Sequence, residues 1–229
     1  MRDYLRRVRA SSFQPATVID VGVADGTFDL YHAFPASRFL LVEPLAEFEP
    51  SLRNICQRID GIYEIVAATG EIGCRRIFFD GYLHGASLMA EEMYAREVRT
   101  ATLDHLVEKH DLQPPYLLKV DVQGAEFEVL AGAEETLNCS EIVILEVPLF
   151  DFMDSGVTIV ETLARMKDRE FVPHDIFDGL LRPFDGALGQ VDIAFVRENG
   201  IFRRERTWAT PAQSQTGKRL NRLRRMIGI

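Results

Sequence analysis

Short apolar runs alternate along the chain with longer stretches whose apolar residues recur every three or four positions, the pattern of buried strands interleaved with amphipathic helices. "TVIDVGV" (17–23) predicts a first strand, followed by a short helix that ends before Pro35. "RFLLVEP" (38–44) predicts a second strand with a helical stretch from Ala46 to Cys56 after it, and "IYEIVAA" (62–68) a third. An antiparallel excursion then reads as "CRRIFFD" (74–80), a loop "GYLHGAS", and a further short strand in "REVRTATL". "YLLKVDV" (116–122) is a fourth strand, "AEFEVLAGAEETL" its helix, and "EIVILEV" (141–147) a fifth. A helix near 156–169 precedes "EFVPHDIF" and "VDIAFVR", two strands whose connection "DGLLRPFDGALGQ" is short enough to require an antiparallel pair. The alternation predicts an α/β fold: a doubly wound, mostly parallel sheet with a terminal antiparallel pair.

One strand breaks the apolar rule. "YLLKVDV" carries Lys119 and Asp121 on one face, since side chains alternate along a strand, and such groups are seldom buried without partners. In a doubly wound sheet, ligands bind beyond the carboxyl ends of the strands where strand order reverses. With the order 3-2-1-4-5, that edge collects Glu43, Asp20, Lys119, Asp121 and Glu146. Two explanations stand: a buried ion pair that holds strand register, or a polar cleft.

The turn after the first strand bears on the ligand. "DVGVADGTF" places Gly22, Ala24 and Gly26 before a helix, where a backbone can approach a ligand closely. A dinucleotide turn reads G-x-G-x-x-G, and Thr27 stands where its last glycine belongs. Glu43, about 20 residues on, suits ribose hydroxyls and fits either a nicotinamide cofactor or S-adenosylmethionine. An adenosyl ligand without pyrophosphate needs no third glycine, and an acidic rim suits a sulfonium cation.

Composition narrows the class. The chain has 229 residues, 47% hydrophobic and 27% charged, enough for one substantial core. Cys56, Cys74 and Cys139 lack metal-like spacing, which predicts reduced thiols in a cytoplasmic setting and no metal site. No run is long and apolar enough to span a membrane or lead export. Charge is uneven: residues 203–229 hold eight basic residues and one acid, against an overall net charge of −9. The acidic remainder argues against a nucleic-acid partner. The layout predicts one domain over 1–206 and a basic tail over 207–229, whose Leu220, Leu223 and Ile227 share a helical face that would suit an anionic surface or a partner chain.

"VIDVGVADGTF", "VEP", "TLDHL", "LLKVDVQGAEFEVLAGA", "ILEV" and "VDIAFV" occur in an order and spacing that resembles the FkbM-type methyltransferases over residues 17–197. The resemblance implies a class I S-adenosylmethionine-dependent fold and O-methylation of a hydroxyl on a sugar, polyketide or related small-molecule or glycan acceptor. It assigns Asp20, Gly22, Ala24 and Gly26 to the cofactor turn, Glu43 to the ribose, Ala67 and Ala68 to the adenine, and Asp121 to the methionine end. Two positions depart from the family pattern: Asp25 replaces an Asn and Gln123 replaces a Glu. For the proton of an alcohol, the candidate bases are Asp121, His84 in its Gly-flanked loop, Glu146 and His174, with Lys119 beside them; Ser87 is a possible ligand contact and Glu126 a structural one. Two alternatives remain open. One is a cofactor-binding regulatory or interaction protein without acceptor chemistry, suggested by Gln123; the other is a nucleotide-sugar or nicotinamide enzyme on the same sheet.

Overall fold

The computed structural model describes residues 1–79, 94–152 and 157–214. A seven-stranded sheet is built from β1 (Thr17–Val21), β2 (Arg38–Val42), β3 (Gly61–Glu64), β7 (Tyr116–Val120), β8 (Ser140–Pro148), β9 (Phe171–Leu181) and β10 (Leu188–Arg197). Its order is β3-β2-β1-β7-β8-β10-β9. The first five strands run parallel, and β10 runs antiparallel to both β8 and β9. The expected doubly wound order, with its reversal between β1 and β7, is therefore present, as is the terminal antiparallel pair.

Helices cover both faces, which is why the central strands read as unbroken apolar runs. Tyr4, Leu5 and Val8 of α1 (Arg2–Ala10), Leu30 of α2 (Phe28–Ala33) and Leu52 of α3 (Glu49–Cys56) pack on Val18, Phe39, Leu41, Leu117 and Ile144. On the opposite face, Leu103 and Leu106 of α4 (Leu103–Lys109), Val129 of α5 (Glu126–Ala131), Leu137 of α6 (Glu134–Asn138) and Met166 of α7 (Ile159–Asp168) meet Ile19, Leu40, Leu118 and Val143. Neither α1 nor α4 is among the elements predicted above.

Two predicted elements divide. "IYEIVAA" bends after β3: Val66 enters the core on the α4 face, and β4 (Ala67–Ala68) leaves the main sheet to pair with β6 (Tyr94–Ala101). With β5 (Gly73–Phe79) antiparallel to β6, these form a separate sheet that buries Ala67, Ile77 and Val98 against Leu45 and Phe48. The helix over "AEFEVLAGAEETL" breaks between α5 and α6. Asp104 of α4 decides the break, since its carboxylate accepts from the Glu135 amide at 3.1 Å and from the Thr136 amide and hydroxyl at 2.7 Å each. The start of α6 is thus capped from outside its own segment.

His84, Ser87 and the tail positions Leu220, Leu223 and Ile227 lie outside the described residues. Among the described residues, no helix is long and apolar enough to cross a membrane, and no cluster of three or more His, Cys, Asp or Glu is arranged to hold a metal ion.

Candidate active site

A cleft of about 320 Å³ lies at the carboxyl ends of β1, β2 and β7, where strand order reverses. Gly22, Ala24, Gly26, Glu43, Ala67, Ala68, Lys119 and Asp121 all line it. Asp20 lies one step beneath, fully buried. The residues predicted for the cofactor turn, ribose, adenine and methionine end are thus brought together.

The strand register explains the charges. Asp20 and Lys119 are direct partners across β1 and β7, and both face the α1–α3 layer. The Lys119 ammonium stands 3.2 Å from the Asp121 carboxylate and 3.7 Å from that of Asp20. Burial by itself would lower the pKa of Lys119, but Asp20 and Asp121 outweigh it and hold the ammonium above its ordinary range. The other Asp20 oxygen accepts from the Tyr31 hydroxyl at 2.7 Å. Burial, then the Asp20 charge, pushes that phenol far up, so Tyr31 serves as a donor and not as a base. The Asp20 oxygen nearest Lys119 has no hydrogen-bond partner among the described residues.

Glu146, collected at the same edge by the strand order, does not pair with Lys119. Lys119 lies beside Ile144 across β7 and β8, while Glu146 lies farther along, opposite Asp192 of β10. Its carboxylate is held by amides: Gln123 Nε2 donates at 3.0 Å, and Gln190 donates from β10. Gln123 Nε2 also donates to Asp121 at 3.1 Å, so one amide bridges two carboxylates. Gln123 adopts a left-handed backbone, φ 55°, which a side chain with work to do is well placed to justify. Glu126 accepts from the amides of Val122 at 3.2 Å and Gly124 at 3.1 Å.

The turn glycine has a different reason from the one expected. A Cβ on Gly22, φ +78°, would lie 1.7 Å from the carbonyl oxygen of Asp121. Contact between the ends of β1 and β7 demands this glycine, whatever occupies the cleft. Glu43 is 4% exposed, and its two oxygens accept from the amides of Ala24 at 2.9 Å and Leu45 at 3.0 Å. Those bonds fix its carboxylate at the cleft wall. His174, by contrast, lies on β9 with its Nδ1 3.2 Å from the Tyr4 hydroxyl and its ring tilted against Phe202, and it does not line this cleft.

Gln190 and Asp192 were missed. The signal was legible: a charge inside the apolar run "VDIAFV" is the same anomaly that singled out Lys119 and Asp121. Burial and the charge of Asp121 raise the Asp192 carboxyl to about 6, and burial with Asp121, Glu126 and Asp192 raises Glu146 to about 8.

A family model described as the methyltransferase FkbM domain matches residues 20–173. The chain belongs to the FkbM family of S-adenosylmethionine-dependent methyltransferases. The sheet order is that of class I enzymes of this kind, and the matched segment contains every residue assigned above to the turn, the ribose, the adenine and the methionine end. Solved structures of similar shape include precorrin-6y C5,15-methyltransferase of Geobacter metallireducens GS-15, 10% identical, with 86% of this chain and 87% of that one covered and a TM-score of 0.47. Another is magnesium protoporphyrin IX methyltransferase of Synechocystis PCC 6803 with bound SAM, 11% identical over 86% and 76% at a TM-score of 0.48. N-methyltransferase NodS of Bradyrhizobium japonicum WM9 is 10% identical over 86% and 93%, also at 0.48. Comparison with curated protein sequences returns no match.

Proposed function

We propose that the cleft binds S-adenosylmethionine and that the protein transfers its methyl group to a hydroxyl of a sugar, polyketide or related metabolite. The observation that carries the cofactor assignment is the acidic lining of the cleft: Asp25, Glu43 and Asp121 line it, and Asp20 lies beneath, against the single Lys119 ammonium, an environment suited to a cationic ligand. The residues fit the group. Glu43 is positioned to accept from ribose hydroxyls, Ala67 and Ala68 form an apolar shelf for adenine, and Asp20, Gly22, Ala24 and Gly26 shape the turn at the amino-acid end. Lys119 holds Asp121 in place beside the sulfonium position. When bound, the cofactor supplies an electrophilic methyl carbon on sulfur, and the chain contributes alignment, which by itself is worth a large part of the acceleration in such displacements.

The regulatory alternative rested on Gln123 in place of Glu. The amide of Gln123 keeps both Asp121 and Glu146 hydrogen-bonded, so the neighbouring carboxylates stay held despite the substitution, which supports the enzyme reading. Calorimetry with S-adenosylmethionine and NAD in parallel tests the assignment, with binding of the first alone expected. Glu43→Ala is expected to weaken S-adenosylmethionine by roughly ten- to a hundredfold, the value of a charged hydrogen bond. Unchanged affinity in a folded variant would remove Glu43 from the ribose position.

A further inference from the structure

Gln123 lines two cavities. Beyond the cofactor cleft, a second, smaller one of about 50 Å³ is walled by Phe127, Glu146, Pro148, Phe152 and Gln190. Its wall is built and braced. Arg165 sits over the Phe127 ring at 4.8 Å, and Phe152 packs against Phe150 at 5.8 Å, behind which Arg182 sits over the Phe150 ring at 4.1 Å. Aromatic and aliphatic surface thus surrounds three carboxyl groups, Glu126, Glu146 and Asp151, and the amides of Gln123 and Gln190, a lining that suits a molecule presenting hydroxyl donors.

The two carboxylates bridged by Gln123 are not equivalent. Asp121 faces the cofactor cleft with its charge paired to Lys119. Glu146 faces the second cavity and is held by neutral amides from two directions, the loop after β7 and strand β10. Such donors aim a carboxylate without supplying the countercharge that would keep it from taking a proton.

We propose that the second cavity receives the hydroxyl-bearing end of the acceptor and that Glu146 is the base that takes the proton of that hydroxyl, an inference that rests on the methyl transfer proposed above. The hydroxyl oxygen forms the new bond to the methyl carbon, the carbon–sulfur bond breaks with its electron pair left on sulfur, and the hydroxyl proton passes to a Glu146 oxygen. No oxidant or reductant enters. The surroundings of Glu146 agree with the role: burial first, then the charges of Asp121 after β7, Glu126 on α5 and Asp192 on β10, oppose its ionisation, and Lys119 on β7 only partly offsets them. The resulting value of about 8 lies near neutral pH, where a base and its conjugate acid are both populated.

The test uses the full chain, with Glu146→Gln and Gln190→Leu. S-adenosylmethionine affinity, measured by calorimetry, is expected to change by no more than about twofold in Glu146→Gln, because the cofactor cleft is untouched. Absence of binding to the wild type overturns the methyl-transfer reading and this one together, whereas normal binding with the failures below overturns this one alone. Methyl transfer is then followed over a panel of methyl glycosides and simple alcohols. For an alcohol that accepts, Glu146→Gln is expected to lower kcat by ~10²- to 10⁴-fold with KM for S-adenosylmethionine unchanged. The wild-type rate should rise with pH, and that dependence should vanish in the variant. Gln190→Leu removes a donor that favours the charged carboxylate, so the midpoint of the profile should move to higher pH. Carbon-13 titration of glutamate carboxyls, with Glu146 assigned by its loss in Glu146→Gln, needs no acceptor; a midpoint near 8 supports the role. Full activity with an unaltered pH profile in Glu146→Gln, or a Glu146 carboxyl that titrates in the ordinary carboxylate range, overturns it.

Discussion

Lys119 is 6% exposed and stands between two carboxylates on one face of the sheet. Lys119→Met would strand Asp20, which is fully buried and retains only the Tyr31 hydroxyl as a hydrogen-bond donor among the described residues. Breaking a buried pair in this way costs roughly 3–5 kcal/mol, and urea unfolding is expected to show it. Glu146 gives the opposite sign. Its carboxyl is raised to about 8 in the folded state, so from the ordinary carboxylate range upward the unfolded chain binds fewer protons than the native one, and stability falls as pH rises towards 8. Glu146→Gln removes that loss. The variant is expected to match the wild type near pH 4 and to exceed it near pH 8, by up to a few kcal/mol at about 1.4 kcal/mol per pH unit. Equal stability of the two proteins at both pH values, measured by denaturant titration, would contradict the raised value. The presence of charges inside "LLKVDV" was plain from the residues; their partners were not, because pairing depends on which residue of β1 lies beside Lys119 and where β10 ends.

Strands at the centre of the sheet were legible because both of their faces are covered, leaving apolar runs that no helix of this length would need. The misread elements are those whose limits are set from outside. α6 begins where Asp104 meets the amides of Glu135 and Thr136, 31 and 32 positions away in the chain. No local pattern in "AGAEETL" announces such a cap. Asp104→Ala is expected to cost about 1–2 kcal/mol, the range of a lost N-cap, with the loss visible by equilibrium unfolding and by faster amide exchange at Glu135 and Thr136. The bend that sends Ala67 and Ala68 into the second sheet is similar: the apolar run continues, but Val66 and Ala67 belong to different cores. α1 escaped notice since four arginines obscured the apolar positions Tyr4, Leu5 and Val8, all of them buried against the sheet.

The charge distribution separates a body from a tail. Residues 204–207 are exposed, Trp208 is fully exposed, and among the described residues after β10 none lines either cavity. A chain ending at Arg206 is therefore expected to keep its unfolding midpoint and its S-adenosylmethionine affinity. Weaker binding on truncation would show that the tail, in this chain or a second copy, reaches the cleft. Loss of association with anionic vesicles, with cofactor affinity intact, would assign the basic residues to a surface role.

The order of apolar runs was sufficient for the sheet, its terminal antiparallel pair and the edge at which a ligand would sit, because burial on both faces and chain connectivity leave few other arrangements. Motif spacing likewise placed Glu43, the turn after β1 and Asp121 at one edge. Folding in three dimensions settled the rest. It set Asp20 beside Lys119, placed an Asp121 carbonyl where Gly22 would carry a Cβ, and used Gln123 and Gln190 to hold Glu146 apart from the lysine. These are contacts between strands far apart in the chain, and their geometry depends on register and on where each strand stops. A sequence names the groups that such contacts join, but the distances between them exist only once the strands are packed.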